Sequence, residues 1–451
     1  MTSRRDLLRL GLGAGLSSTL LRVERLLAQG SRPVPSPSQL TWQQDELAIF
    51  IHFGVNTFTN REWGDGKESP AIFNPTKLDA NQWASTARRA GFKAMVLTAK
   101  HHDGFCLWPT KTTTHSVASS PFRGGQGDVV REFVDACRRE NLRVGLYCSP
   151  WDRNAPAYGD SPRYNDMFVE QLTELLTQYG PVHEVWFDGA NGEGPNGKRQ
   201  EYDWPRFWGH VRRLQPDAVM FSDAGPDVRW IGNERGVAGD TNWSTVDPAV
   251  VPVPGMSGDA VMKMLQDGDP RGTVWRPGET DVSIRPGWFY HPAEDARVKS
   301  IDQLVELYFT SVGRNSKLLL NVPPTPEGLL HDVDVERLLG MRRALDRLFA
   351  NEQPSGAQWS VNGNVHTVTL RTPVPVSILD AREDVRRGQV VARHVIEGAN
   401  GNTWTTLARG TTIGYKRLHR IPAVTVDRLR LTVEESLAEP QGVSLRAWHP
   451  A

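Results

Sequence analysis

Short apolar runs recur along the first three quarters of the chain, and longer stretches with helical spacing separate them. The runs that read as buried strands are Ala48–Val55, Ala94–Ala99, Val144–Ser149, Val185–Asp188, Val219–Ser222, Arg229–Gly232, Thr273–Pro277 and Leu318–Val322. Helix-like stretches lie between them at Ala80–Ala90, Gly127–Glu140, Tyr164–Tyr179, Trp204–Leu214 and Ile301–Val312. In the second of these, Val129, Val130, Phe133, Val134 and Cys137 repeat with the period of an amphipathic helix. Eight strands alternating with helices over about residues 40–350 predict an α/β fold, a (β/α)8-like TIM barrel. No strand leads directly into a glycine-rich turn; Gly124-Gly125-Gln126-Gly127 precedes a helix without a strand before it, so a dinucleotide site is not expected. The Pro- and Gly-containing stretch Val250–Pro270 predicts a long irregular loop at the barrel mouth.

One more amphipathic helix is expected at Val335–Leu348. Beyond it the period changes from helical to alternating. Val361–Leu370, Pro375–Leu379, Gln389–Ile396, Thr403–Leu407 and Arg428–Val433 read as strands, with turns at Asn362-Gly363 and across Gly398–Asn402. Residues 355–451 are therefore expected to form an all-β sandwich, either bracing the barrel or binding glycan itself.

Composition narrows the function. The 451 residues carry 52 basic and 52 acidic side chains, and this zero balance gives no electrostatic case for nucleic acid or an anionic membrane as partner. Fifteen tryptophans against eight tyrosines suit stacking on the apolar faces of sugars. The three cysteines, Cys106, Cys137 and Cys148, allow at most one disulfide, and their spacing is not that of a structural zinc site. Residues 1–30 resemble a twin-arginine export signal: Arg4-Arg5 is followed by an apolar, glycine-rich stretch from Leu10 to Leu21 that is too short for a permanent membrane anchor. This predicts a bacterial protein exported to the periplasm or beyond.

The chemistry collects at predicted strand ends. In His183–Gly189 a buried run, Val185-Trp186-Phe187, stops abruptly at Asp188. A lone Asp-Gly is ordinarily a turn, but the pattern recurs. In order, the strand ends carry His52, then Lys100-His101-His102-Asp103, Tyr147 with Trp151-Asp152, Asp188, Asp223, Glu234, Glu279 and Asn321. In a barrel of this type the C-terminal strand ends carry the site. A metal-dependent hydrolase is one use of such a ring. It is disfavoured because His101 and His102, being adjacent, diverge on an extended backbone and no His-x-His pair exists. Glycoside hydrolysis by two carboxyl groups, with histidines and tryptophans holding the sugar, fits the residue types better and needs no metal or cofactor.

Several segments carry a family resemblance: Phe50-Ile51-His52-Phe53-Gly54, Glu62-Trp63, Ala99–Trp108 with its His-His-Asp-Gly-Phe core, Gly145-Leu146-Tyr147 and Trp186-Phe187-Asp188-Gly189. Together they resemble glycoside hydrolase family 29, the α-L-fucosidases, from about residue 40 to 350 and on into the β-rich tail. The resemblance implies a retaining enzyme acting on fucosylated oligosaccharides or glycoconjugates, with Asp188 as nucleophile. It implies that His52, His101 and His102 bind fucose hydroxyls and that Trp63, Tyr147 and Trp186 line the pocket. The segments Arg229–Gly236 and Arg276–Tyr290 are similar to the subgroup acting on α-1,3/1,4-linked fucosides. There Glu234 matches the acid/base, with Glu279 the alternative; Glu279 and Trp288 are otherwise expected to contact sugar. An ion pair of Glu234 with Arg229 or Arg235 would lower its pKa and spoil it as an acid. An α-galactoside specificity, or binding without turnover on the same scaffold, are the competing readings.

Overall fold

The computed structural model describes residues 32–353 and 358–449. The predicted export signal lies outside the described residues. A helix α1 (Pro37–Asp45) leads into β1 (Leu47–Ile51), followed by α2 (Val55–Thr59), α3 (Ala80–Arg89) and β2 (Ala94–Lys100). Then come α4 (Val129–Arg139), β3 (Arg143–Cys148), α5 (Ser161–Gln178), β4 (Glu184–Trp186), α6 (Trp204–Leu214), β5 (Val219–Ser222) and β6 (Val228–Trp230). After β7 (Thr245–Val246), α7 (Asp259–Asp267) and β8 (Val274–Trp275), the barrel resumes with β9 (Gly278–Ser283), α8 (Ile301–Thr310) and β10 (Ser316–Asn321), and α9 (Asp332–Leu348) packs on α8 and α3. The closed order is β1-β10-β9-β6-β5-β4-β3-β2, and every neighbouring pair is parallel.

This is the expected eight-stranded barrel, with one strand misplaced in the sequence reading. Thr273–Pro277 is not a barrel strand. Its Val274-Trp275 pairs antiparallel with β7 in a separate two-stranded ribbon, and the barrel position belongs to the next segment, Gly278–Ser283. The apolar Val-Trp pair was the stronger local signal, whereas β9 reads Gly-Glu-Thr-Asp-Val-Ser and is polar on its inward face. The predicted irregular loop Val250–Pro270 also contains α7, whose Val261 and Leu265 are buried one turn apart. Between β5 and β6 there is no helix. β6 starts beside Phe221, one residue below the end of β5, so the five residues Asp223–Asp227 suffice to step back.

Strand alternation sorts the side chains into two sets. Ile49, Ile51, Met95, Leu97, Val144, Leu146, Val185, Phe187, Leu318 and Leu320 face the helices in the main core. Ala48, Phe50, Ala94, Val96, Tyr147, Trp186, Val219, Phe221 and Leu319 fill the barrel interior. At the lower level the interior is ionic. Lys317 Nζ bonds Glu184 Oε2 at 2.9 Å, lies 3.7 Å from Glu279 Oε2 and sits over the Trp42 ring at 4.5 Å. Burial alone would drive this ammonium to lose its proton, but the surrounding carboxylates of Glu184, Glu279 and Asp45 hold it charged.

The tail is all-β as expected: β11 (Glu352–Gln353), β12 (Gln358–Asn362), β13 (Val365–Arg382), β14 (Val391–Asn400), β15 (Thr403–Gly410), β16 (Arg417–Ser436) and β17 (Ser444–Trp448). They form one antiparallel path, β11-β17-β13-β16-β14-β15, with β12 on β13. Both halves of the long β13, Val368 and Leu370 as well as Val376 and Leu379, enter a single core, so the sheet closes over itself. The junction with the barrel is polar and buried. Asn315, at φ 59°, donates from Nδ2 to Asn242 O at 3.0 Å and Ser244 Oγ at 3.1 Å, and accepts from Tyr415 N at 2.8 Å. The three cysteines are buried and unpaired. Among the described residues no helix is long and apolar enough to cross a membrane.

Replacing Lys317 by Met leaves Glu184 uncompensated inside the barrel. It should lower stability by about 3–5 kcal/mol, read as a fall in the thermal midpoint, and adding Glu184→Met should recover part of that loss.

Candidate active site

The C-terminal ends of the strands surround a cavity of about 430 Å³. It is lined by Phe50, His52, Glu62, Trp63, His101, His102, Tyr147, Trp186, Asp188, Ala190, Glu234, Asp281 and Trp288. Its floor is aromatic. Trp186 stacks on Phe221 with centroids 3.9 Å apart, packs against Tyr147 and Phe50, and donates from Nε1 to Glu279 Oε1 at 3.0 Å.

Asp188 follows Trp186 by two residues and so projects to the same side, one level higher. Tyr147 donates its hydroxyl to Asp188 Oδ2 at 3.1 Å, and the amide of Ala190 donates to Oδ1 at 2.8 Å. Gly189 is required sterically: a Cβ there would meet Asp223 Oδ2 at 2.5 Å and the Gly255 amide at 2.8 Å. Asp223 itself accepts from Gly255 N at 2.8 Å, outside the pocket lining, and burial pushes its carboxyl up to about 6.

The histidines are neutral acceptors by construction. Asn321 uses its Nδ2 on Ser283 Oγ and Trp288 O, so its Oδ1 accepts Nδ1–H of His52 at 2.8 Å. Ser149 gives its hydroxyl proton to Trp151 O at 2.7 Å, and its Oγ therefore accepts Nδ1–H of His102 at 2.8 Å. Each ring is left with a bare Nε2; that of His102 lies 3.8 Å from Asp188 Oδ2. Burial lowers all three histidines, His52 to about 3. The rings of His101 and His102 do not diverge: their centroids are 4.1 Å apart and both line the pocket. The strand ends at Lys100, and the chain turns at His101, whose carbonyl accepts Gly104 N at 3.0 Å. Their neighbours point elsewhere. Lys100 runs outward to Asp152 at 3.1 Å and Gln171 at 2.8 Å, and Asp103 bonds Asn56 Nδ2 and Phe105 N.

The two acid/base candidates separate cleanly. Glu234 stands at the rim, exposed, with Trp288 Nε1 donating to Oε2 at 3.3 Å. Partial burial raises its carboxyl above the ordinary range, and the charges of Asp188 and Glu62 push the same way against the Trp288 bond. Arg229 is committed to Leu265 O at 2.9 Å and Asn242 Oδ1 at 2.8 Å rather than to Glu234. Glu279, by contrast, is fully buried and does not line the pocket. It belongs to the ionic level beneath Trp186, so the expectation that it contacts sugar is corrected. The residue that reaches the pocket from this strand is Asp281, two positions on. The sequence reading missed Asp281 because it placed the strand at Thr273–Pro277.

Glu62 was also unassigned. Its carboxylate accepts Trp288 N at 2.7 Å, Phe289 N at 3.1 Å and His291 Nε2 at 2.6 Å. That clamp holds the Trp288 loop against the segment that carries Trp63, which stands 59% exposed at the mouth.

The profile of the family described as alpha-L-fucosidase matches residues 31–347. The chain belongs to the α-L-fucosidase family of glycoside hydrolases. Alpha-L-fucosidase 1 of Arabidopsis thaliana is 41% identical over 442 residues, spanning 90% of this chain and 86% of that protein. The structure of a glycoside hydrolase 29 family member from an unknown rumen bacterium superposes with a TM-score of 0.88 at 40% identity, covering 94% of this chain and 78% of that one. A Ruminococcus gnavus GH29 fucosidase in complex with fucose gives 0.84 at 30% identity, covering 93% and 95%. The chain is thus an α-L-fucosidase, a glycoside hydrolase, and the cavity just described opens at the C-terminal face of its barrel.

The neutral state of His52 has a measurable sign. It titrates at about 3 in the fold against 6.5 ordinarily, so as pH falls the unfolded chain takes up the proton first. Its contribution is complete above 6.5 and is lost as pH falls toward 3. The stability gap between the parent and His52→Gln, followed by thermal unfolding, should narrow over that window by up to about 1.4 kcal/mol per pH unit; a constant gap would contradict the neutral assignment.

Proposed function

We propose that this protein is an exo-acting α-L-fucosidase that cleaves with retention of configuration, with Asp188 as nucleophile and Glu234 as acid/base. The observation that carries the reading is the pairing of two carboxyl groups of different character in one pocket. Asp188 is fixed at the tip of a strand by Tyr147 and Ala190, while Glu234 stands at the rim with its affinity for a proton raised. In the first step Asp188 attacks the anomeric carbon as Glu234 gives its proton to the departing oxygen. In the second, Glu234 takes a proton from water, which attacks the glycosyl-enzyme from the opposite face and releases fucose with its original configuration. The bare Nε2 atoms of His52 and His102 accept from sugar hydroxyls, and the walls of Phe50, Trp186 and Trp288 can bury the C5 methyl of fucose for roughly 1 kcal/mol.

The floor formed by Trp186 and Phe50 closes the cavity below, so a chain end enters rather than an internal residue. We assign the α-1,3/1,4 linkage class from the Glu234 and Trp288 segments, which resemble that subgroup. Trp63, Trp288 and the exposed loop with Val253 and Met256 offer apolar faces near the rim for the rest of the glycan. That loop adjoins the nucleophile through Gly255 and Gly189.

Asp188→Asn should reduce kcat on an aryl α-L-fucoside by on the order of 10³-fold or more with the thermal midpoint preserved; near-normal turnover would refute the assignment. Glu234→Ala should cost roughly 10²–10⁴-fold on poor leaving groups, much less on good ones, and recover with azide. NMR of the first product formed from α-1,2-, α-1,3-, α-1,4- and α-1,6-fucosylated oligosaccharides should show α-fucose, and the α-1,3 and α-1,4 substrates should be consumed fastest. Initial β-fucose would exclude retention, and faster release from the other linkages would exclude the linkage class.

A further inference from the structure

Asp281 takes no part in the double displacement, yet it lines the same pocket as Asp188 and Glu234. It is 4% exposed and stands two residues beyond Glu279 on β9, about 7 Å higher along the strand. Its Oδ1 accepts the indole N–H of Trp230 at 2.8 Å. No other side chain among the described residues bonds Oδ2, which leaves that atom for the cavity.

The surroundings decide which form of the carboxyl is present. From β10 the one nearby cation, Lys317, is taken by Glu184 and Glu279 a level below. From the β6 loop and the β4 tip the groups facing Asp281 are Glu234 and Asp188, both acidic. Ionising Asp281 would add another negative charge to a pocket that already holds three other carboxyls and no Lys or Arg in its lining. The carboxyl therefore keeps its proton. Because Trp230 donates to Oδ1, that proton sits on Oδ2 and points to the cavity.

The chemical complement is specific. His52 and His102 present lone pairs, so they serve sugar hydroxyls, which can donate. The ring oxygen and the glycosidic oxygen of a fucoside have no proton and can only accept. Both lie at the end of the sugar where Glu234 acts, and Asp281 is on Glu234's side of the barrel, since β9 pairs with β6. We propose that Asp281 presents an O–H donor to an acceptor oxygen at the glycosidic end of the bound fucoside, a reading that rests on Asp188 and Glu234 working in this pocket.

The test compares Asp281→Asn with Asp281→Ala. The asparagine keeps an acceptor for Trp230 and replaces O–H by N–H; the alanine removes both. Each is assayed for kcat/KM on an aryl α-L-fucoside and for inhibition by L-fucose, with the thermal midpoint as a check on folding. Asp281→Asn should stay within about 5-fold of the parent in both measures. Asp281→Ala should bind L-fucose about 10-fold more weakly, the worth of one buried hydrogen bond, and lose more in kcat/KM. If Asp281→Asn falls as far as Asp281→Ala, the residue acts through charge and the proposal is overturned. Unchanged L-fucose inhibition in Asp281→Ala overturns it as well. If Asp281→Ala does not fold, the asparagine variant decides alone: parent-like kinetics support the donor and a loss of 10²-fold or more refutes it. The parent is the control for the wider reading. A parent enzyme inactive on the fucoside, or one whose turnover Asp188→Asn leaves unchanged, would remove that reading rather than this one.

Discussion

A closed parallel barrel admits every second residue of each strand to an interior that water does not fill, and whatever stands there must be satisfied by its neighbours. That constraint organises this molecule by height. At the lowest level Lys317 answers Glu184 and Glu279. Above it, Phe50, Tyr147, Trp186 and Phe221 close the interior with aromatic surface. One further step up β1 and β4 come His52 and Asp188, where the barrel opens, and on β9 Asp281 stands one step above Glu279. The levels are linked by single hydrogen bonds, such as that from Trp186 to Glu279. The rotamer of a ring on the pocket floor thus depends on an ion cluster that no substrate reaches.

The same geometry explains the electrostatic character of the pocket. Among the described residues, none of its lining side chains is Lys or Arg, whereas Glu62, Asp188, Glu234 and Asp281 all contribute carboxyls. The histidines add no positive charge because burial keeps them neutral. Such a lining suits a neutral deoxysugar and offers no counter-ion to the carboxylate of a uronic or sialic acid. Selectivity against charged sugars is then a property of the whole lining rather than of one contact.

Much of this was legible in the sequence wherever apolar alternation marked a strand and the next inward position fell just beyond it. His52 after Phe50 and Asp188 after Trp186 follow that rule, and both line the pocket. It broke where the inward face was itself polar. Gly278–Ser283 buries Glu279 and Asp281 without an apolar pattern, so Val274-Trp275 drew the strand assignment and Glu279 was expected in the pocket that Asp281 lines. The adjacent His101 and His102 misled for the opposite reason: extended geometry was assumed one residue past the point where the strand ends. The helix Asp259–Asp267 was hidden among prolines and glycines on both sides. The tail's alternation gave its class, but β13 joins what read as two strands, Val361–Leu370 and Pro375–Leu379, and β16 runs well beyond Arg428–Val433.

The short step from β5 to β6 and the long excursion from β6 to β9 divide the labour unequally. Asp188 rides on a strand tip whose rotamer is set by Tyr147 and by the chain's own next turn. Glu234 hangs from the excursion, which carries α7 and the β7–β8 ribbon, and its own side chain is held through Trp288, whose backbone amide donates to Glu62. With the roles proposed above, the attacking group is part of the frame and the proton donor is part of an appendage. Variation in that appendage can reshape how a leaving group is received while the position of bond formation stays fixed. A family built on this plan is free to diversify the glycans it opens without re-evolving the sugar it removes.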